Sequence, residues 1–342
     1  MSRYFGVDLH RNCFTVCTQL ESGRQYISTQ KLERLPQFVS RLRSDDEVAV
    51  EVTGNTRLFY DAVAPQVSRV VVVNPFQFEV IRRSVKKTDQ HDARALALFL
   101  SKDMLPEVRM KDQEHAEMAS LTQTRDSLVK SRTALKNKVN NLLSARGVNL
   151  NKESLASEKG LEHVLGMCFG STVDVELQVL VEQIRSLNKS IAKLDQEISK
   201  QTPKLPGYDN LKSIKGIGDV GAGVLLSVIG DVNDFADEGK LAAYFGIVPR
   251  VSNSNETERS GRITKRGSKL GRTVLVQCAM IAKRYSSYLS TYYERIKMRR
   301  GTGKAIIALA RKFLGIIYRT LKDNIIWEDF PNGVIRETEG CT

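Results

Sequence analysis

The sequence predicts a three-part chain: a mixed α/β domain over residues 1–108, a helical coiled-coil hairpin over 109–205, and a basic, mostly α-helical domain over 206–330, with a tail at 331–342. Three observations predict it. Strand-like apolar runs alternate with segments of helical period as far as residue 108. Leucines and isoleucines then recur at heptad spacing between residues 113 and 201. Beyond the linker-like Pro203-Lys204-Leu205-Pro206-Gly207, glycine-punctuated amphipathic segments carry the charge. From Arg250 to Lys322 there are eighteen Lys and Arg against three acids, Glu256, Glu258 and Glu294, in a chain whose net charge is +13. The remainder is close to neutral, so the basicity belongs to one region, and such a footprint suits phosphate backbones.

Composition bounds the rest. A chain of 342 residues buries an ample core across two or three domains. No apolar run reaches the length of a membrane span, and the opening Met-Ser-Arg-Tyr-Phe-Gly lacks a secretory pattern. Five scattered cysteines (13, 17, 168, 278 and 341) argue against a disulfide framework and for a reducing, cytoplasmic setting. His10, Cys13 and Cys17 invite a zinc reading, but a strand over Phe14 to Leu20 spaces them for neither a knuckle nor a finger.

In order, Tyr4 to Leu9 is a short apolar strand, Phe14 to Leu20 a second, and Gln25 to Gln30 a third after the turn Glu21-Ser22-Gly23-Arg24. Leu35 to Leu42 is helical, Glu47 to Val52 a buried strand closed by Thr53-Gly54-Asn55, and Leu58 to Val67 helical again. Val70 to Val73 is a strand ended by Asn74-Pro75. Lys86-Lys87-Thr88-Asp89-Gln90-His91-Asp92-Ala93-Arg94 leads into the apolar helix Ala95 to Leu100. This order resembles the RNase H-like, RuvC-type fold.

Acids occupy unusual places in it. Asp8 lies between Val7 and Leu9, and Glu51 among Val48, Ala49, Val50 and Val52, where a core strand tolerates no unpaired charge. Asp89 and Asp92 sit three apart, on one face of a helix start. A lone D-x-x-D reads more readily as a solvated helix N-terminus, and only the other acids change that. Four carboxylates gathered without a cation repel, whereas hard oxygen ligands suit Mg²⁺, and ions about 4 Å apart clamp a phosphoryl group.

Further on, Leu121, Leu128, Leu135 and Leu142 recur every seven residues, with Arg125 and Arg132 in the alternate seam positions. A second helix, Val173 to Ile198, carries Leu177, Leu180, Ile184, Leu187, Ile191, Leu194 and Ile198. Gly147 to Gly170 breaks the two. The pattern fits an antiparallel hairpin used for dimerisation, or equally an intramolecular bundle. Leu211 to Gly230 contains a G-I-G turn between short helices and resembles a helix-hairpin-helix, which either holds a phosphate or is purely structural. Leu241 to Arg250, Val251 to Glu256 and Arg262 to Ser268 read as a polar loop among basic residues, and Ala305 to Leu321 as a basic helix.

G-V-D-L-H, V-E-V-T-G-N and K-T-D-x-x-D-A-R, in this order and spacing, resemble the DEDD transposases of bacterial insertion sequences, a family that includes Piv-type DNA invertases. The likeness covers nearly the whole chain. It implies that Asp8, Glu51, Asp89 and Asp92 form a catalytic, metal-binding tetrad for Mg²⁺, with Mn²⁺ as a substitute. In the C-terminal part the family's G-[LI]-x-P-R and I-x-K-x-G correspond to Gly246–Arg250 and Ile263–Gly267, and its serine nucleophile falls on Ser254. Asn255 stands where Gly commonly follows that serine, and Gly271 where Leu commonly precedes Arg272, so Ser252 and Ser260 stay in view.

The resemblance implies a recombinase that cleaves and exchanges DNA strands through a covalent phosphoserine link, activated by the carboxylate cluster of another subunit. It implies DNA ends and target as substrates, a structured noncoding bridge RNA as guide, a dimer or tetramer, and a nucleoid-associated enzyme. Lys86, Lys87, Arg250, Arg262, Lys265, Arg266, Lys269, Arg272, Lys304 and Arg311 are the candidate nucleic-acid contacts. A RuvC-like junction nuclease would use the same acids with water as nucleophile. A non-catalytic nucleic-acid-binding protein would explain the charge and the coiled coil but not the acids.

Overall fold

The computed structural model describes residues 3–74, 88–151, 154–254, 257–327 and 336–337, the side chains of 251–260 and 336–337 lying outside the description. The chain divides into two compact units, Met1–Met110 and Lys111–Thr342.

The first unit is built on a five-stranded sheet of order β3-β2-β1-β4-β5. Its strands are β1 (Arg3–Leu9), β2 (Cys13–Leu20), β3 (Gln25–Lys31), β4 (Glu47–Glu51) and β5 (Arg69–Val73). The first three form an antiparallel meander, and β4 and β5 add in parallel to β1 through helical crossovers. Alternation along the strands sends Phe5, Val7, Leu9, Val48 and Val50 to one face. There they meet α1 (Leu35–Val39) and α2 (Thr56–Val63), with Phe14 edge-on to Phe38 and Phe59. The helix read over Leu58 to Val67 starts earlier and gives way at Ala64–Gln66 to a 3₁₀ turn, where Pro65 cannot donate to an α-helical ladder. A bidentate pair fastens the start of β1: Arg3 donates to both oxygens of the fully buried Asp46, at 2.8 and 2.6 Å.

The opposite face carries α3 (Asp89–Leu100), which lays Ala93, Leu96, Ala97 and Leu100 on the sheet. Gly6 makes this possible, because a Cβ there would sit 2.1 Å from the Ala93 carbonyl oxygen and 2.3 Å from the Ala97 nitrogen. Lys86 and Lys87 lie outside the described residues.

The second unit is mostly helical. Its two long helices, α4 (Gln113–Ser144) and α6 (Ser171–Gln201), pack antiparallel. Arg125 pairs with Asp195, Arg132 donates to Asn188 at 2.9 Å, and Lys138 meets Glu176 at 3.2 Å. The two seam arginines therefore find polar partners within the chain, and the helices form an intramolecular hairpin. Leu121, Leu128, Leu135 and Leu142 are half-buried, and between Thr122 and Val139 no residue of α4 is buried. The hairpin is consolidated at its ends. At one, Val139, Leu143, Leu177, Val181 and Ile184 meet Leu161 and Val164 of α5 (Glu158–Leu165), a helix inside the stretch read as a break. At the other, Met118 and Ile198 join the large C-terminal core.

That core surrounds α8 (Asp219–Ile229), buried from Ala222 onwards, and α12 (Thr302–Lys322). Around them lie α7 (Tyr208–Lys212), α9 (Glu238–Phe245), α10 (Lys269–Ala282) and α11 (Ser287–Arg300). The residues read as a polar loop form a β-hairpin, β6 (Pro249–Ser254) and β7 (Thr257–Ile263). A two-residue β8 (Ile325–Ile326) pairs with β9 (Arg336–Glu337), inside the stretch read as a tail.

Candidate functional site

The first unit brings two of the predicted acids, Asp8 and Asp89, into one cluster, with Asp92 near enough for its charge to act on Asp8. Asp8 projects from the α3 face of β1 and is only 6% exposed. Parallel pairing of Val7 with Val50 carries Asp8 and Glu51 side by side on adjacent strands and on the same face. Thr88 caps α3, its side chain accepting the His91 N–H at 3.3 Å, so Asp89 and Asp92 fall in the first turn, where the helix dipole favours anions. The Gly6–Ala93 contact then sets the level. Two residues along a strand and four along a helix both advance about 6 Å, so Asp8 comes opposite Asp89.

His10 completes the cluster; the sequence offered it only in the dismissed zinc pattern and as the last residue of G-V-D-L-H, with no role attached. Its Nε2 lies 3.2 Å from Asp8 Oδ2 and 3.3 Å from Asp89 Oδ2. One ligand atom from each of Asp8, His10 and Asp89 falls within 4.8 Å of the others. Asn55 fixes the turn that carries His10 by donating to the carbonyls of His10 and Arg11, both at 3.0 Å. Thr56 donates to the Glu51 carbonyl at 3.0 Å and pins the end of β4. Thus V-E-V-T-G-N holds one acid and steadies the loop beside another.

Burial pushes the Asp8 carboxyl above the usual carboxylate range, His10 opposes that, and the charges of Asp89 and Asp92 add to it. Two oxygens and an imidazole nitrogen around a carboxyl that is costly to ionise fit a divalent cation, which would relieve the repulsion.

The second unit arranges the other sequence motifs around two interlocked glycines. Gly246 has φ +70°, and a Cβ there would lie 1.9 Å from the Arg266 carbonyl oxygen. Gly267 has φ +90°, and a Cβ there would lie 2.0 Å from the Tyr244 carbonyl oxygen. Arg272 Nη1 donates to the carbonyls of Phe245, Arg266 and Gly267, each at 3.1 Å. These contacts clamp the ends of the β6–β7 hairpin. Ser254 is the last residue of β6 and pairs with Thr257; Ser252 pairs with Arg259 and Ser260 with Val251. The side chains of all three serines lie outside the description.

Residues 5–146 match the family model described as a transposase of the DEDD, IS110 type, and residues 208–294 match that of the IS116/IS110/IS902 transposase family. The chain belongs to this insertion-sequence transposase family. It is 27% identical over 328 residues to the transposase for insertion sequence element IS1111A of Coxiella burnetii, covering 93% of this chain and 89% of that one. Against the pilin gene-inverting protein of Moraxella lacunata it is 25% identical over 341 residues, covering 94% and 96%. A probable family 20 transposase of Pseudomonas aeruginosa is 27% identical over 243 residues, covering 69% and 72%.

Membership implies DNA recombination and DNA substrates. Among the described residues no helix is long and apolar enough to cross a membrane. The two matched regions of the transposase are those that hold the acidic cluster and the glycine-clamped hairpin. Of the predicted basic contacts, Arg262, Lys265, Lys304 and Arg311 line one groove of about 1270 Å³. Arg250, Arg266 and Lys269 are exposed outside that lining, and Arg272 is engaged as the clamp described. In the helix-hairpin-helix-like segment, Asp219 at the start of α8 already accepts from Lys212 at 2.7 Å and Tyr208 at 2.9 Å.

Proposed function

We propose that this transposase is a recombinase of an insertion sequence, in which an RNase H-like domain with a carboxylate tetrad activates a serine on a separate basic domain. The observation that carries the reading is the gathering of Asp8, Asp89 and His10 within bonding reach of one centre, with Asp92 close enough to act on Asp8 and Glu51 on the next strand. The sheet order, an antiparallel meander extended by two parallel strands, supports the RNase H-like assignment.

In this reading Asp8, Glu51, Asp89 and Asp92 hold Mg²⁺, or Mn²⁺ in its place, and His10 offers a nitrogen. When bound, the cation neutralises phosphoryl charge and lowers the cost of ionising a hydroxyl. Ser254 Oγ attacks a DNA phosphodiester, its proton passing to a carboxylate, and forms an Oγ–P bond as a DNA hydroxyl end leaves. The hydroxyl of a second DNA end reverses the step, so the bond count is conserved and no nucleotide is consumed. Assembly as a dimer or tetramer supplies the several sites that strand exchange needs, with the cluster of one subunit serving Ser254 of another. A guide RNA belongs to the same reading and draws its support from the positive charge of residues 250–322.

The test is covalent capture. Incubated with end-bearing DNA and Mn²⁺, the protein is expected to form adducts that survive denaturation. Ser254→Ala is expected to abolish them, and Asp89→Asn likewise. Cleavage that persists in Ser254→Ala without adducts would replace this reading with a water-using junction nuclease, and recombination intact in Asp89→Asn would leave a non-catalytic binding protein. Sequencing of RNA that co-purifies from cells carrying the flanking noncoding DNA tests the guide.

A further inference from the structure

The groove beside the β6–β7 hairpin has a composition that double-stranded DNA alone does not explain. Its rim is cationic: Arg262 and Lys265 stand at the foot of the hairpin, and Arg300, Lys304 and Arg311 along α11 and α12. Among the described residues the one acid lining it, Glu238, lies 3.5 Å from Arg319. The rest of the lining is different. Ile307, Ala308, Ile316 and Ile325 give it an apolar floor, and the half-buried Tyr292 and Trp327 and the exposed Tyr288 add three aromatic rings. Lys312 Nζ stands 5.5 Å from the centre of the Tyr288 ring, and the Arg295 guanidinium 5.6 Å from that of Tyr292.

A duplex turns phosphates outward and keeps its base faces stacked inside, so it can use the rim but leaves an apolar, aromatic floor without a partner. An unpaired strand uses both, because every exposed base offers a flat face for a ring and every phosphate a charge for the rim. An acidic peptide would satisfy the cations but brings no succession of flat aromatic faces for three rings. Cations held over tyrosines strengthen the case, since a base slipped against such a ring shares the cation as well.

We propose that this groove binds single-stranded nucleic acid, its bases on Tyr288, Tyr292 and Trp327 and its phosphates on Arg262, Lys265, Lys304 and Arg311. The strand then runs towards the foot of the hairpin that carries Ser254. The inference rests on the recombinase reading only for the nucleic-acid chemistry of the chain, and its test needs neither the serine nor the acids.

Trp327 is the sole tryptophan, which makes the full-length protein its own probe. Ser254→Ala protein is titrated with short, non-self-complementary oligodeoxynucleotides, oligoribonucleotides and the corresponding DNA duplex, following tryptophan emission. Saturable quenching by single strands at concentrations where the duplex gives none is expected, and the DNA and RNA arms identify which strand is preferred. Tyr288→Ala with Tyr292→Ala is expected to weaken single-strand binding about 10-fold or more while duplex binding holds, and Tyr288→Phe with Tyr292→Phe to restore it. Equal quenching by duplex, quenching by polyglutamate, or no quenching by any strand overturns the proposal, as does a Phe pair as defective as the Ala pair. Loss of covalent adducts in the parent protein with strand binding retained strikes the recombinase reading instead.

Discussion

Gly6 lies against the Ala93 carbonyl so closely that a single added Cβ would stand 2.1 Å from that oxygen. The contact is between backbone and backbone, so no side-chain rotation relieves it. It sets the distance of α3 from β1 and with it the approach of Asp89 to Asp8. Gly6→Ala is therefore expected to displace α3 and destabilise the first unit by about 1–3 kcal/mol, the range for overpacking. Divalent-ion binding, followed by Mn²⁺ titration, should weaken even under conditions where the variant remains folded. An unchanged melting temperature together with unchanged Mn²⁺ affinity would show that the helix does not depend on this contact.

Asp8 carries a charge that the fold resists when no cation is present, because it is buried and faces Asp89 and Asp92. Asp8→Asn keeps the shape and removes the repulsion. The metal-free variant should melt higher than the parent at neutral pH, by on the order of 1 kcal/mol or roughly 4 °C. Added Mg²⁺ or Mn²⁺ should raise the melting temperature of the parent and leave that of Asp8→Asn nearly unmoved. A variant less stable than the metal-free parent would mean that the carboxylate is wanted by the fold rather than by a cation.

Much of this was legible in the residues, and the exceptions have physical causes. The β-branched runs Val48-Ala49-Val50 and Val70 to Val73 mark buried strands, and the acids set in them, Asp8 and Glu51, stand out against that background. His10 did not, because it lies just past the end of β1, where strand alternation no longer says which way a side chain points. The side chain that anchors that turn, Asn55, comes forty-five positions later. The β6–β7 hairpin was hidden for the opposite reason. Arg250-Val251-Ser252-Asn253-Ser254 has no apolar alternation, and its strands are held by backbone pairing and by the clamp of Arg272 on carbonyls distant in sequence. The helices of the long hairpin were visible from their leucines. Their antiparallel pairing was expected too, but the partners of the seam arginines were not, since Arg125 and Arg132 reach Asp195 and Asn188, far off in sequence on the other helix.

Asp219 ties α7 to α8 through Lys212 and Tyr208, and those hydrogen bonds hold its carboxyl below the usual range. The unfolded chain binds this proton more readily, so the contribution is fully present above the ordinary carboxylate pKa and is lost as pH falls through the lowered value. Both partners are partly exposed, which limits the effect to about 1 kcal/mol or less. Urea denaturation at neutral pH should show Asp219→Asn less stable by about that amount. The gap should start to close below about pH 4, and a gap that widens on acidification would contradict the pairing.

Arg272 and Lys304 are both cations of the basic domain, yet the structure gives them different work. Arg272 Nη1 reaches three carbonyls that close the loop between α9 and α10, and burial pushes its guanidinium below the usual arginine range. Lys304 lines the groove and is exposed. Arg272→Ala leaves three carbonyls short of a donor and should cost about 1–3 kcal/mol of stability. Arg272→Lys should recover only part, since an ammonium cannot span the set with the geometry of a guanidinium. Lys304→Ala should leave the melting temperature within about 0.5 kcal/mol of the parent. It should instead lower nucleic-acid affinity and flatten the dependence of log K on log salt by about one unit. Melting curves and salt titrations on the two variants separate these roles, and a salt slope altered by Arg272→Lys but not by Lys304→Ala would exchange them.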